Sequence, residues 1–137
     1  MNVCGSDIWA VGCMFGELLT GDPMFQSREV SYTRERPVPF QEDQLRVIFS
    51  ILGTPKVPLY YSFPRWRDVA QWPEYPNVLD SHEKYGRFDP SAKDLLKKLL
   101  EYDPTKRITA KQALEHQYFK TSFSDTKFVK HICIYHY

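Results

Sequence analysis

The residues that could do chemistry are few, and the densest group of them lies near the end of the chain. His131, Cys133 and His136 form the pattern H-x-C-x-x-H, which offers ligands of the types that bind zinc. A zinc site usually needs four ligands, and the sequence has no second cluster of His and Cys to complete the set. A loose chain end is therefore favoured over a metal site, and we predict no metal ligands here.

Other signatures of catalysis or ligand binding are missing or weak. The chain has no G-x-S-x-G, no H-E-x-x-H and no Walker loop. The segment KDLLKKLLEYDPTKR (93–107) is basic and amphipathic, a pattern that also occurs in calmodulin-binding and membrane-surface helices. Asp94, Glu101 and Asp103 dilute its charge and Pro104 limits its length. A core-packing helix with exposed lysines is therefore the favoured interpretation.

The composition argues against several classes of partner. The chain has 137 residues, a formal net charge of +1, 42% hydrophobic residues and 26% charged residues, as in one ordinary globular domain. This charge gives no electrostatic reason to expect nucleic acid or a membrane as partner. Residues 8–19 are too short to span a bilayer, which takes about 20 apolar residues, and the N-terminus lacks the pattern of a signal peptide. Three scattered cysteines favour a reducing compartment, cytosol or nucleus.

One helix should lie at the centre of the fold. Apolar residues cover every face of the segment 8–19, in which Glu17 is the only charge. A helix that is apolar all round is buried all round, so we predict a central helix over 7–20. Ser6 or Asp7 is expected to cap its N-terminus, and Gly21 is expected to end it.

The remaining elements are also predicted to be helical. The spacing i, i+3, i+4, i+7 predicts an amphipathic helix after position 41, ended by a glycine and a proline. Two further helices are indicated by an Asp-Pro start and by a T-x-x-Q capping box. Residues 22–40 are expected to form a loop, and 54–88 an irregular segment fastened by its aromatic residues, with short helical turns. The fold class is therefore all-α with no confident strand. The residues that carry these predictions are Leu45, Ile48, Phe49, Leu52, Gly53 and Pro55 for the first helix, Asp89, Pro90, Asp103 and Pro104 for the second, and Thr109, Gln112 and Tyr118 for the third.

Three segments, in this order, resemble parts of one family. DIWAVGCMFGELLTGDPMF resembles the central helix of the C-terminal lobe of eukaryotic protein kinases, whose pattern is D-x-W-x-x-G-C. LRVIFSILGTP resembles the next helix and turn of cyclin-dependent kinases, and LLKKLLEYDPTKRITAKQALEHQYF resembles the last two helices of that lobe. The resemblance covers residues 6–123, with enlarged stretches at 26–44 and 54–88. Residues 1–5 and 124–137 match nothing in the family. The stretch 26–44 makes the chain more similar to the Mediator-associated cyclin-dependent kinases than to the short-looped cell-cycle kinases.

The resemblance assigns roles to four residues. The aspartate matching Asp7 bonds backbone groups of the kinase catalytic loop, and the positions matching Trp9 and Gly12 pack the base of the lobe. The arginine matching Arg107 pairs with the glutamate of the A-P-E motif. These residues would support the catalytic and activation segments rather than perform chemistry. The alternatives are a helix cap for Asp7 and a solvated loop position for Arg107.

The family's catalytic motifs are missing from this sequence. Kinases use a glycine-rich loop, V-A-I-K, H-R-D and D-F-G to bind ATP and magnesium and to transfer phosphate, and the chain has none of these, nor A-P-E. It also lacks everything that corresponds to the N-terminal lobe and the catalytic loop. We therefore predict part of a serine/threonine kinase, with no catalytic, cofactor-binding or metal-binding residues of its own.

The implied partners are the upstream part of a kinase domain and cyclin or Mediator-type proteins. A nuclear or cytoplasmic location is expected, and the family resemblance favours the nucleus. The alternative function is a non-catalytic, kinase-derived module that docks kinase substrates or scaffold proteins, with 54–88 as its binding surface. In either case, part of 8–19 should be exposed as an apolar patch when the chain is alone.

Overall fold

The computed structural model describes residues 4–28 and 40–122, and regular structure within them is helical. Its one strand-like pairing is an isolated antiparallel bridge between Leu52 and Asn77. The all-α prediction is therefore confirmed for the described part of the chain, while the H-x-C-x-x-H pattern lies outside it. No helix in that part is both long and apolar enough to cross a membrane. The elements are α1 (Cys4–Thr20), α2 (Glu42–Leu52), a 3-10 helix (Pro58–Ser62), α3 (Trp66–Val69), α4 (Pro90–Leu99), α5 (Ala110–Leu114) and α6 (Gln117–Ser122).

The chain divides into two compact units. The first consists of Met1–Gly12 together with Phe88–Tyr137, and the second of Cys13–Arg87. Helix α1 contributes its first part to one unit and its second part to the other. Each unit has buried apolar side chains of its own, such as Leu95 and Leu96 in the first and Phe49 and Leu79 in the second.

The start of α1 differs from the sequence-based prediction. The helix begins at Cys4 rather than at residue 7, so Asp7 lies inside the first turn and is not the N-cap. Its carboxylate still lies near the positive end of the helix dipole, which favours an acidic residue there. The predicted end is confirmed, since the Gly21 N–H donates to the Glu17 carbonyl at 2.7 Å and Gly21 has a φ of 78°.

Helix α1 is not buried on every face in this chain. Val11, Met14 and Leu18 are 43%, 56% and 84% exposed. Their i, i+3, i+7 spacing places them in one row along the helix. Gly12 and Gly16, by contrast, are buried. The prediction of complete burial is therefore wrong for the chain alone, and the expected apolar patch is present.

In the second unit, the backbone at the end of α2 closely approaches the backbone of the following segment. Gly53 has a φ of 83° and a ψ of 166°, a region that is essentially open only to glycine. A Cβ at this position would lie 2.9 Å from the Asn77 backbone nitrogen. This close approach allows the Thr54 N–H to donate to the Tyr75 carbonyl at 2.9 Å and the Val78 N–H to the Ile51 carbonyl at 3.1 Å. The irregular segment 54–88 is thus bonded to the end of α2.

Aromatic contacts hold the same segment together, as predicted. Tyr60 stacks on Phe63 with ring centroids 5.6 Å apart. Trp66 contacts Tyr60 at 5.9 Å and Tyr61 at 5.6 Å. The short 3-10 helix and α3 that carry these rings confirm the expected helical turns.

The first unit is built on α4. Asp89 caps this helix as predicted, accepting the Ser91 N–H at 2.8 Å, and Pro90 occupies its first turn. The helix ends at Leu99, earlier than the predicted stop at Asp103 and Pro104. Its buried stripe is nearly inaccessible to solvent, with exposed fractions of 1% for Leu95, 0% for Leu96, 2% for Leu99 and 3% for Leu100.

The third predicted helix is divided into two. The capping box is confirmed, because Thr109 Oγ1 accepts the Gln112 N–H at 3.3 Å and Gln112 Oε1 accepts the Thr109 N–H at 2.9 Å. The helix then stops at Leu114 and a new one starts at Gln117. The interruption occurs at His116, whose Nδ1 accepts the Tyr118 N–H at 3.2 Å.

The cap at Asp89 predicts an acid-sensitive start of α4. Bonds from the Ser91 hydroxyl, and then from the Ser91 N–H, lower the pKa of Asp89. Because the pKa is lower in the folded chain, this cap contributes fully above the unfolded value of about 3.9 and is lost as the pH falls through the folded value. Carboxyl-carbon NMR should give Asp89 a midpoint below the one it has in urea.

Asp89→Asn is the matched control for this prediction. Asparagine caps helices about as well as aspartate but does not titrate, so α4 should keep its first turn in acid. Equal Asp89 midpoints in native buffer and in urea would contradict the prediction.

Candidate functional site

Asp7, the first of the four predicted support residues, is exposed. It lies in the first turn of α1. Among residues 4–28 and 40–122, its carboxylate has no hydrogen bond or ion pair. The structure therefore presents this carboxylate to the surroundings of α1 instead of using it as the cap of the helix.

Gly12 lies at the closest approach between α1 and the end of α4. A Cβ on Gly12 would stand 2.8 Å from Leu100 Cδ2 and 3.0 Å from Leu99 Cβ. Real Cβ atoms essentially never approach other atoms to 2.8 Å, and a distance of 3.0 Å is tighter than most real contacts. Both leucines are almost fully buried. Only glycine fits here without displacing the core of the first unit.

Trp9, one turn before Gly12, packs on the residues that follow α4. Its ring lies 5.8 Å from the ring of Tyr102, centroid to centroid, at a tilt of 30°. The Arg107 guanidinium carbon lies 5.2 Å from the Trp9 ring centroid, within the range of a cation–π contact. Trp9 is thus in contact with both the aromatic ring and the cation.

Arg107 binds the backbone just beyond the C-terminus of α4. Its Nε donates to the Glu101 carbonyl at 2.7 Å, and one terminal nitrogen donates to the Tyr102 carbonyl at 3.3 Å. Carbonyls after a helix lack partners within the helix, so a cation that binds them stabilises the helix end. Arg107 is half-buried and is therefore not a solvated loop residue.

The turn D-P-T-K-R places Arg107 where it can reach these carbonyls. Asp103 Oδ1 accepts the Thr105 N–H at 2.9 Å and the Thr105 hydroxyl at 2.7 Å, and these bonds lower the pKa of Asp103, the hydroxyl most. The N–H groups of Lys106 and Arg107 both donate to the Asp103 carbonyl at 3.0 Å. The chain therefore reverses direction and returns the Arg107 side chain toward α4.

Three of the four predicted residues meet at one place. Trp9, Gly12 and Arg107 all contact the stretch Leu99–Tyr102, whereas Asp7 has no described contact with it. The cluster contains no nucleophile paired with a base. In the described part of the chain, no group of three His, Cys, Asp or Glu residues could hold a metal ion. The arrangement positions the backbone of Leu99–Tyr102.

Sequence reasoning missed a second polar cluster, formed by Asp94, Lys98 and His116. Asp94 Oδ2 lies 2.8 Å from His116 Nε2 and 2.7 Å from Lys98 Nζ. The bond from Lys98, and less strongly that from His116, lowers the pKa of Asp94 against the opposing effect of burial. The cluster lines an open groove of about 580 Å³. No local pattern reveals it, because His116 is 22 positions from Asp94. The groove is lined by Asp94, Lys98, Lys106, Ile108, Gln112, Glu115, His116 and Gln117.

One known protein family matches most of the chain. The family described as protein kinase domain matches residues 3–119, which is most of the chain. The chain belongs to the protein kinase family.

Three relatives narrow the assignment to cyclin-dependent kinases. The chain is 47% identical to cyclin-dependent kinase E-1 of Arabidopsis thaliana over 83% of its own length, and 38% identical to the serine/threonine-protein kinase srb10 of Schizosaccharomyces pombe over 82%. It is 39% identical to the probable cyclin-dependent kinase 8 of Dictyostelium discoideum over 83%. It spans only 25%, 32% and 30% of these proteins. The predicted resemblance to cyclin-dependent kinases, and among them to the Mediator-associated group, is confirmed.

Arg107 should stabilise the end of α4 in this kinase segment. Replacing it by methionine keeps much of the apolar stem but removes the charged hydrogen bonds, each worth about 1.5–3 kcal/mol. We expect amide exchange at Leu100 and Ile108 to become roughly tenfold faster or more, because a 1.4 kcal/mol loss is tenfold. Hydrogen exchange followed by mass spectrometry measures this.

The neighbouring cation provides the control. Lys106 is largely exposed, and its Nζ lies 3.8 Å from Asp103 Oδ2. Lys106→Met should therefore change amide exchange at Leu100 and Ile108 little. Equal effects of Arg107→Met and Lys106→Met would show that charge in general, and not the Arg107 bonds, stabilises the turn.

Proposed function

We propose that this chain is C-terminal-lobe sequence of a cyclin-dependent-type serine/threonine kinase and serves as the base beneath the catalytic loop. The observation that carries the proposal is the contrast within α1. Gly12 and Trp9 pack against the end of α4, while Asp7 and the row Val11, Met14 and Leu18 are exposed. A helix with one packed face and one exposed apolar face is suited to pack against another protein segment.

Asp7 is the polar contact on this proposed surface. In the family, the matching aspartate accepts hydrogen bonds from the backbone of the catalytic loop. An ionised carboxylate accepts such bonds strongly, and Asp7 is exposed in the first turn of α1 with no described partner. Under this proposal Asp7 positions the catalytic loop, and the apolar row of α1 packs beneath upstream kinase elements.

The chain itself is proposed to lack kinase activity. Phosphoryl transfer depends almost entirely on positioning and on charge stabilisation by the ATP-binding, magnesium-binding and catalytic-loop residues, and their motifs are missing from these 137 residues. The relatives are named as kinases, and the chain covers a third or less of each of those reported above. Activity with ATP and magnesium is therefore proposed for a whole kinase and not for this segment.

We propose the partners and the location of the whole kinase from its family. A cyclin is the proposed partner of the whole kinase, since two of the relatives carry cyclin-dependent kinase in their names. Mediator-type proteins and a nuclear location are proposed from the narrower group resemblance. The cytoplasm is the alternative location.

The exposed α1 row predicts how the isolated chain behaves. We expect a broad, non-cooperative thermal transition and strong binding of the apolar dye ANS, because an unpacked apolar face leaves tertiary packing incomplete. Circular dichroism and dye fluorescence measure the two properties. Replacing Met14 and Leu18 by glutamine should lower ANS fluorescence by roughly half, since these side chains form much of the patch.

A single exposed leucine elsewhere provides the control. Leu114 is 74% exposed, so Leu114→Gln removes one exposed apolar side chain outside the α1 row and should leave ANS binding nearly unchanged. A sharp two-state melt without dye binding would contradict the proposal and favour a self-sufficient module.

A second candidate function is a docking module, and one observation favours it. Leu59, Tyr61 and Phe63 are 52%, 58% and 50% exposed within five residues. The Tyr60 and Trp66 rings pack against this stretch, so the exposed rings rest on a fixed base. Aromatic side chains with one packed and one exposed face are enriched at protein interfaces. Substrates or scaffold proteins of the kinase pathway are the proposed partners.

This second candidate predicts a specific loss of binding. Tyr61→Ser combined with Phe63→Ser should reduce capture of kinase-pathway proteins from cell extract by tenfold or more, as for interface anchors worth about 2 kcal/mol or more. Quantitative mass spectrometry measures the captured set. Leu114→Ser is the matched control and should retain it. If wild type and both variants capture the same proteins equally, docking through Tyr61 and Phe63 is excluded.

A further inference from the structure

His116 connects two helices of the first unit through its two ring nitrogens. On one side, Nδ1 accepts the Tyr118 N–H in the first turn of α6 at 3.2 Å. On the other side, Nε2 lies 2.8 Å from Asp94 Oδ2 in the middle of α4. The His116 side chain is only 7% exposed, so water hardly competes for these bonds.

The geometry determines which ring nitrogen carries the proton. A backbone amide can only donate, so Nδ1 must present a lone pair to Tyr118. The ring is then neutral, with its hydrogen on Nε2, and this hydrogen is donated to Asp94. Lys98 Nζ lies 3.3 Å from Nε2, but both groups are donors in this state. His116 and Lys98 therefore both donate to the same Asp94 oxygen.

We propose that His116 is a proton-sensitive latch that caps α6 only in its neutral form. When Nδ1 takes up a proton, this atom changes from acceptor to donor and faces the Tyr118 N–H, another donor. The bond to α6 is lost. The opposite nitrogen keeps its hydrogen, so the contact with Asp94 on α4 persists. The inference stands independently of the proposed kinase function.

Charged groups around the imidazole nearly balance. Asp94 and Lys98 reach it from α4, Lys106 lines the groove from the preceding turn, and Glu115 lines it from the end of α5. The two carboxylates favour a charged ring and the two ammonium groups oppose it. The Asp94 carboxylate stays ionised near neutral pH because Lys98 lowers its pKa. Burial of the ring and the donor at Tyr118 then both oppose protonation at Nδ1.

The latch matters because α6 cannot persist alone. It has six residues, far fewer than the 12 or so that an isolated helix needs to be even marginal in water. Histidine is also the side chain whose charge ordinarily changes between pH 5 and 8. The attachment of α6 to α4, with its half-buried Tyr118 and Phe119, is therefore expected to depend on whether His116 is protonated.

The test follows both the ring and the amide in the 137-residue chain. Long-range proton–nitrogen NMR should show His116 as the Nε2–H form at neutral pH. Over the pH range in which His116 titrates, the protection factor of the Tyr118 amide, corrected for intrinsic exchange, should fall roughly fivefold, as for one lost hydrogen bond. His116→Asn is the matched variant, because its side-chain oxygen can accept the Tyr118 N–H but does not titrate, and Tyr118 protection should then stay constant.

Three results would overturn the latch. One is a neutral ring with its hydrogen on Nδ1. Another is a Tyr118 protection factor that stays constant while His116 titrates, or that falls equally in His116→Asn. The third is a His116 ring with the same shifts and titration as in the urea-unfolded chain, which would mean that neither helix holds it.

Discussion

The close approach of Gly12 to Leu99 and Leu100 is the constraint on which the first unit depends. It determines how near α1 lies to the end of α4, since a Cβ there would overlap two buried leucines. At this separation Trp9 reaches Tyr102, and Arg107 lies over Trp9 while it binds the carbonyls of Glu101 and Tyr102. A wider spacing would remove the ring contact and the cation–π contact together. The apolar packing therefore comes first, and the polar contacts of Arg107 are built on it.

The same constraint explains why α1 has two dissimilar sides. Glycines at positions 12 and 16 are buried against neighbouring side chains, Leu100 in one case and Met24 in the other. Among the described residues, none gives the row Val11, Met14 and Leu18 an equivalent cover. A row of large apolar residues exposed on a helix usually marks an interaction surface. The family assignment is consistent with such a surface. We propose that upstream elements of a kinase domain pack against this row.

The features that could be predicted from the sequence are those whose donors and acceptors are close in sequence. The cap at Asp89 and the box between Thr109 and Gln112 involve partners two or three residues apart, and both are present. The start of α1 was misplaced because an acidic residue is favoured both at a cap and in the first turn. The break at His116 was missed because Asp94, its second partner, lies 22 residues earlier.

For the predicted support residues too, the sequence identified the residues but not all of their contacts. The resemblance named Trp9, Gly12 and Arg107, and the structure brings these three together, but the partners of Arg107 in this chain are carbonyls that no motif mentions. Side-chain-to-backbone bonds of this kind depend on how the turn after Asp103 folds. A motif identifies the residue type, whereas the turn decides what the side chain touches.

Arg107 and His116 each form side-chain hydrogen bonds to the backbone at one end of a helix. Arg107 satisfies carbonyls beyond the C-terminus of α4, and His116 satisfies an amide in the first turn of α6. Helices of five, six and ten residues are too short to be stable on their own. Bonds from side chains outside each helix therefore decide which ends persist. Because arginine stays charged whereas histidine ordinarily changes charge near neutral pH, of these two ends only the one held by His116 can respond to a proton there. Under the proposed latch, the base formed by α1 and α4 would remain in place when α6 detaches.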